Sequence, residues 1–223
     1  MLDLGGRLVL LVGGGRVAAR KLGSLLQAGA RVRLVAPELD PAAAELAVDE
    51  RVEHLAREFR PEDLEGVWLA ISATDREEVN RRVAQEAERR RVFVNVVDVP
   101  GLCSFIVPAV LRRGELCLAV STGGASPAAA ARLRRRLEEE FGPEWGPYLE
   151  LMRAVRRQVL SWGRPAEQNR PLFEALAEAP LLELLRRRDQ EGIDRLLRGL
   201  LGPEYDLAGL GVSPERLWPR QGA

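Results

Sequence analysis

The chain of 223 residues is poor in the side chains on which metal and nucleophile chemistry is usually built, with one histidine, His54, and two cysteines, Cys103 and Cys117. These three cannot assemble a structural zinc site without carboxylate help, and two cysteines do not frame a disulfide-rich secreted domain. A catalytic triad or axial haem ligation would have to run through His54, which lies in the alternating segment Arg51-Val52-Glu53-His54-Leu55 and reads as a surface strand residue. Net charge is missing as well. Lys+Arg and Asp+Glu each total 33, which argues against a broadly electropositive nucleic-acid surface while leaving room for a local basic patch. No stretch approaches the roughly eighteen apolar residues of a membrane span. The first residues, with Asp3 and Arg7 among few apolar neighbours, carry no signal-peptide core. The expected compartment is reducing and cytoplasmic. Lysine is almost absent. Lys21 is the single one among the 33 basic residues, so 32 are arginines, the side chain suited to a bidentate grip on carboxylate or phosphate, although codon bias yields the same composition.

What is present is an ordinary globular balance. Hydrophobic residues make up 46% and charged residues 30%, far from the composition of a disordered chain. The first ninety-odd residues alternate short apolar runs with longer amphipathic ones, the pattern of a parallel sheet with helices on both faces. Strands are expected at Arg7–Val12, Arg31–Val35, Val52–Leu55, Val67–Ile71 and Val92–Val96, with helices at Arg16–Ala28, Ala42–Val48 and Glu77–Arg90. Phe105–Val107 and Leu116–Val120 read as further strands that extend a sheet. Beyond Ser126 only helical periods remain: Pro127–Glu140, Pro147–Trp162, Pro171–Ala179, Pro180–Arg188 and Glu191–Leu201. The tail from Gly209 to Ala223 has two prolines and little periodicity and is expected to fray. The fold class is therefore α/β, with division points near Arg113 and near Gly142.

The sharpest local signal is Gly13-Gly14-Gly15-Arg16-Val17-Ala18, a G-x-G-x-x-A between a strand and a helix. Gly13 permits the tight turn, Gly15 lets backbone approach a pyrophosphate, and Ala18 lets the helix pack closely on the strand with its N-terminus facing the anion. The same turn without a ligand is the competing reading. After the second strand, Pro37-Glu38 can line the adenosine site, and the Glu38 charge would repel a 2′-phosphate, favouring NAD over NADP; Glu38 as a plain loop charge fits equally. Ala73 and Thr74, past the fourth strand, border the expected nicotinamide position, though Thr74 or Asp75 also suits a helix cap. Asp98 ends the fifth strand at the same edge. A carboxylate there can take a proton while a hydride leaves to the cofactor. Ser121-Thr122-Gly123-Gly124-Ala125-Ser126-Pro127 has the hydroxyls and N–H groups of a second anion-binding turn, or is an N-cap. Arg132, Arg134, Arg135 and Arg136 on the following helix either grip acidic groups or solvate its face.

Taken in order, Val12 to Lys21, Ala73-Thr74-Asp75, Asn95 to Pro100, Ser104-Phe105 and Ser121 to Pro127 resemble precorrin-2 dehydrogenase, the dehydrogenase/ferrochelatase module of siroheme synthase, over about Leu4 to Leu201. The resemblance implies a Rossmann-like NAD-binding domain (1–113), a small dimerisation region (114–142) and a C-terminal helical domain (143–223), assembled as a homodimer. It implies NAD-dependent oxidation of precorrin-2 to sirohydrochlorin and, in some members, insertion of ferrous iron as a substrate, with no permanently bound metal. Gly13, Gly15, Arg16, Val17, Pro37 and Glu38 match the family's cofactor-contacting segments, and Asp98 matches its catalytic aspartate. The resemblance also supplies a use for the arginines, since the tetrapyrrole carries eight carboxylates; Ser121, Thr122, Gly123, Gly124 and Arg132 are the candidate substrate contacts. Where the family's second turn often reads Ser-Ser-Gly-Gly, Thr122 stands in second place, so regulation by phosphorylation there would fall on a threonine. The methyltransferase domain fused to some siroheme synthases is not in this sequence, and a separate enzyme is expected to supply precorrin-2. Two other readings stay open: a non-enzymatic NAD-responsive module, which needs no Asp98, and another NAD-dependent dehydrogenase on the same fold.

Overall fold

Leu8–Val12 (β1) is an apolar run with Val9 to Val12 fully buried, as a central parallel strand must be when helices cover both faces. In the computed structural model, which describes residues 2–218, β1 is flanked by Arg31–Val35 (β2) and Leu69–Ser72 (β4). Val52–Leu55 (β3) and Phe93–Val96 (β5) complete a parallel sheet of order β3-β2-β1-β4-β5. Alternate residues go to opposite faces. Val9, Leu11, Val32, Leu34, Leu69 and Ile71 pack with helix α1 (Arg16–Gln27) on one side. Leu10, Val12, Ala70, Val94 and Val96 pack with Val83 and Ala87 on the other. The latter two belong to α3 (Glu77–Arg89), and a short helix α2 (Pro41–Ala47), capped by Asp40, links β2 to β3.

β5 is an edge strand without an exposed edge. Ser104 Oγ accepts the Val94 N–H at 2.7 Å, Cys103 Sγ accepts the Val96 N–H at 3.2 Å, and Ser104 N donates to Val94 O at 2.8 Å while the Cys103 thiol donates to Val96 O at 3.2 Å. The segment expected as a strand at Phe105–Val107 is therefore not one. It is the end of this side-chain-mediated covering, because backbone groups of β5 that a new strand would pair with are already taken.

By internal contacts the chain divides into Met1–Val107 and Pro108–Ala223. The second unit opens with an antiparallel hairpin, β6 (Ala109–Arg113) and β7 (Leu116–Val120), separate from the parallel sheet rather than an extension of it. Helices follow: α4 (Pro127–Glu140), α5 (Trp145–Ser161), α6 (Ala166–Glu178), α7 (Leu181–Arg187), α8 (Gln190–Leu201) and α9 (Pro214–Leu217). Their core is built on Leu151, Val155, Leu176, Leu181, Ile193 and Leu197. Two expectations are corrected here. α6 begins five residues before Pro171, which sits inside it: near the helix start the ring removes only one early bond, and Leu172, Phe173 and Leu176 hold the helix to the core. The tail does not fray over Gly209–Trp218, since Leu210, Val212 and Leu217 are buried and the Trp218 indole N–H donates to Leu185 O at 2.9 Å. The remainder of that tail, 219–223, lies outside the described residues. No helix among the described residues is long and apolar enough to cross a membrane.

One buried ion pair fixes the crossover from β3 to β4. Asp63, only 3% exposed, takes two bonds from the Arg57 guanidinium, at 2.6 and 2.9 Å, and one from the Arg60 N–H at 2.8 Å. Burial pushes the Asp63 carboxyl up, but Arg57 and the Arg60 N–H outweigh it and hold the group below its ordinary value of 3.8. A depressed folded pKa stabilises the fold above the unfolded value, and this contribution is lost as pH falls through the folded one. Asp63→Asn should therefore lower the melting temperature at pH 7 by about 5 °C, with the gap from wild type narrowing at pH 3. Melts of both proteins at the two pH values test this, and a gap that does not narrow contradicts it.

Candidate active site

Because all five strands are parallel, the segments that leave β1, β2, β4 and β5 emerge at one edge of the sheet, where open α/β folds bind ligands. A cavity of about 960 Å³ lies there. All nine residues expected at the cofactor and catalytic positions of the first unit line it: Gly13, Gly15, Arg16 and Val17 after β1, Pro37 and Glu38 after β2, Ala73 and Thr74 after β4, and Asp98 after β5.

The three glycines are not equivalent. Gly13 has φ +120°, and a Cβ there would lie 2.3 Å from Ala73 O. A Cβ on Gly14 would lie 1.9 Å from Glu38 O. Both are demanded by the protein's own backbone. Gly15 is the N-cap of α1 with φ −79° and ψ −177°, a conformation any residue adopts, and a Cβ there would meet nothing within 4 Å. No protein atom accounts for a glycine at 15. A pyrophosphate drawn against the first N–H groups of α1 does account for it, so the turn fits a dinucleotide. Glu38 is brought up by the same packing: Asp40 N donates to Gly14 O at 2.8 Å, which holds the 37–40 segment against the turn.

Asp98 is exposed and has φ +60°, in the left-handed region that aspartate enters more readily than most residues. Among the described residues no donor forms a hydrogen bond to its carboxylate. Lys21, one turn along α1, is half-buried; burial and the neighbouring Arg20 push its ammonium pKa down, and the negative charge of Asp98 works against that shift. The sole lysine of the chain thus sits within electrostatic reach of the carboxylate, which motif reading did not foresee. Asn80 on α3, also missed, lines the cavity and bonds to Thr74. The apolar moment of α3 was the only cue available, and an asparagine on it carries no motif. His54, expected at the surface, is half-buried, its Nε2 3.0 Å from Ala36 O, which keeps it structural.

Ser121, Thr122, Gly123, Gly124 and Arg132 belong to the second unit and are not among the residues lining this cavity. Gly123 and Gly124 have φ +61° and +87°. Thr122 Oγ1 accepts the Ser126 N–H at 3.2 Å, and Ser126 Oγ caps α4 through Ala129 N at 3.2 Å, so both hydroxyls serve the turn itself. Arg132 is exposed. Among the described residues no three His, Cys, Asp or Glu side chains gather to hold a metal ion.

Comparison with known proteins agrees with this geometry. A family model described as "Putative NAD(P)-binding" matches residues 1–109, and one described as "Sirohaem biosynthesis protein central" matches residues 113–140. "Siroheme synthase 3" of Aeromonas hydrophila is 42% identical over 202 residues, covering 90% of this chain and 43% of the relative. "Siroheme synthase" of Azotobacter vinelandii is 40% identical over 199 residues, covering 89% and 43%. The chain spans less than half the length of these curated relatives. Among solved structures, that titled "SirC, precorrin-2 dehydrogenase" superposes with a TM-score of 0.68 at 28% identity, covering 85% of this chain and 94% of that one. Over about nine-tenths of its length the chain is thus similar to part of the siroheme synthases, and in fold to the precorrin-2 dehydrogenase of known structure.

Proposed function

We propose that the protein is an NAD-dependent precorrin-2 dehydrogenase that yields sirohydrochlorin. The observation that carries the reading is that the Asp98 carboxylate, bonded by no donor among the described residues, lines the same cavity as the glycine turn. The relatives' names and the structural neighbour at 28% identity support the substrate class. When bound, NAD accepts the hydride that leaves the macrocycle. The chain supplies the rest. The N-terminus of α1 would hold the pyrophosphate, the charge of Glu38 would disfavour a 2′-phosphate on the adenosine ribose, and the Ala73-Thr74 loop would border the nicotinamide. Asp98 takes the proton that accompanies the hydride, so two hydrogens leave the substrate and the balance closes. Should iron be inserted, it enters as a substrate and the same carboxylate accepts protons from the pyrrole nitrogens. Ser121, Thr122, Gly123, Gly124 and Arg132 are the candidate contacts for substrate carboxylates.

We further propose a homodimer joined through the 114–142 region. Helix α4 buries only Ala130 of its fourteen residues, and its Leu133 is 45% exposed. Such apolar surface is covered economically by a second copy.

Four outcomes are expected. Gly14→Ala should cost about 1–3 kcal/mol of stability through overpacking. Gly15→Ala should melt within about 0.5 kcal/mol of wild type while its Kd for NAD rises by about tenfold or more. Equal NAD affinity for wild type and Gly15→Ala sinks the cofactor assignment. Asp98→Ala and Asp98→Asn should bind NAD normally and form NADH from precorrin-2 at least about a hundredfold more slowly; a fully active Asn variant removes Asp98 from the chemistry. Light scattering at micromolar protein should return twice the chain mass of 24.7 kDa, and a value near 24.7 kDa contradicts the dimer.

A further inference from the structure

Three buried or half-buried polar side chains meet at the end of β4, where the sheet gives way to the cavity. Ser72 is fully buried and Asn80, in the first turn of α3, is 6% exposed. Asn80 Oδ1 accepts from Ser72 Oγ at 2.7 Å and from Thr74 Oγ1 at 3.0 Å, and Asn80 Nδ2 donates to Thr74 O at 3.0 Å. The orientation of the amide is dictated by chemistry, because a backbone carbonyl can only accept and so requires the nitrogen opposite it. Thr74 Oγ1 in turn accepts the Arg76 N–H at 3.2 Å, and Asn80 N donates to Arg76 O at 3.1 Å. One asparagine thus grips the whole link from β4 to α3, through its side chain at one end and its backbone at the other.

The link matters because of what lies on its other side. Ala73 O is the atom that abuts Gly13, so the position of this loop and the position of the glycine turn are set together. Asparagine is a mediocre helix residue, and burying polar groups at a strand end is costlier than filling the place with an aliphatic side chain. The arrangement is explained if the loop must be held at one height over the cavity. In the order β3-β2-β1-β4-β5 the β2 end, with Glu38, is on the adenosine side of β1, and the β4 end is on the opposite side, where the other half of a dinucleotide extends. Asn80 also lines the cavity, and the second hydrogen on its Nδ2 has no acceptor among the described residues.

We propose that Asn80 is the positioning residue for the nicotinamide half of the cofactor. It fixes the Ala73-Thr74 wall against which that ring is seated, and it leaves the adenosine half to the glycine turn and the β2 end. This rests on the reading of the cavity as an NAD site. The role predicts a selective defect that loss of fold would not mimic, since ADP-ribose fills the adenosine and pyrophosphate positions and lacks the nicotinamide.

Titration of wild type, Asn80→Ala and Asn80→Asp with NAD and, separately, with ADP-ribose tests it. For both variants the Kd for NAD should rise about five- to tenfold, the equivalent of losing a bond of about 1 kcal/mol, while that for ADP-ribose stays within about twofold of wild type. Ser72→Ala provides a second arm should Asn80→Ala fold poorly. Ser72 does not line the cavity, so its removal reaches the ligand only through Asn80, and a smaller loss of NAD affinity with ADP-ribose unchanged is expected. Parallel losses for NAD and ADP-ribose, or none for either in a protein that melts lower, overturn the proposal and leave Asn80 a structural residue. A wild type that binds neither ligand overturns the cofactor reading itself.

Discussion

Two carbonyl oxygens stand where side chains at 13 and 14 would be. Ala73 O excludes a Cβ from Gly13, and Glu38 O excludes one from Gly14, so the turn after β1 is wedged between the segments leaving its two neighbouring strands. Everything at the site follows from that wedge. It brings Glu38 beside the turn, it sets the height of the Ala73-Thr74 loop, and it lets the third glycine face open space with the first N–H groups of α1 behind it. The turn is made by the sheet, and only its last residue is free to answer to a ligand. This separation explains why a three-glycine run can be required twice for folding and once for binding.

The parallel sheet and its edge were legible in the sequence because buried strands such as Leu8–Val12 are continuous apolar runs and the helices between them carry a clear 3.6 period. Glu38, Ala73, Thr74 and Asp98 followed from that framework as residues just past a strand, while Gly13 and Gly15 came from the glycine motif and Arg16 and Val17 from the family resemblance. Asn80 was not legible, because its role depends on the three-dimensional meeting of a strand end, a loop and a helix, which no spacing encodes. The same holds for the electrostatic influence of Asp98 on Lys21. Proline misled at 171, where a residue that usually opens helices was carried inside one by tertiary packing, and the few periodic positions after Gly209 concealed that Leu210, Val212 and Leu217 all reach the core. Phe105–Val107 looked like a strand because it is apolar. Its neighbours Cys103 and Ser104 had already taken the place beside β5 through their side chains.

The arginines divide by what they meet. Many are spent along their own helices, as in Arg81 with Glu77, Arg170 with Glu174 and Arg187 with Glu183, exposed pairs that contribute little to stability. Arg57, bound to Asp63, is different, because its partner is buried and the crossover would open without it. Composition alone could not separate these uses. The abundance of arginine says less about function than the position of the one lysine, half-buried and within electrostatic reach of Asp98.

The covering of β5 has a consequence for how copies of this chain recognise one another. An edge strand is ordinarily an open invitation to strand addition, and sheets that grow by it run on into fibrils. Here the outward N–H and C=O groups of Val94 and Val96 are all occupied by Cys103 and Ser104, within reach of the Asp98 turn. A second sheet cannot be appended on that side without first evicting a thiol and a hydroxyl. Crowded molecules of this protein are thereby steered away from continuous β-polymers at a margin that also borders the cavity.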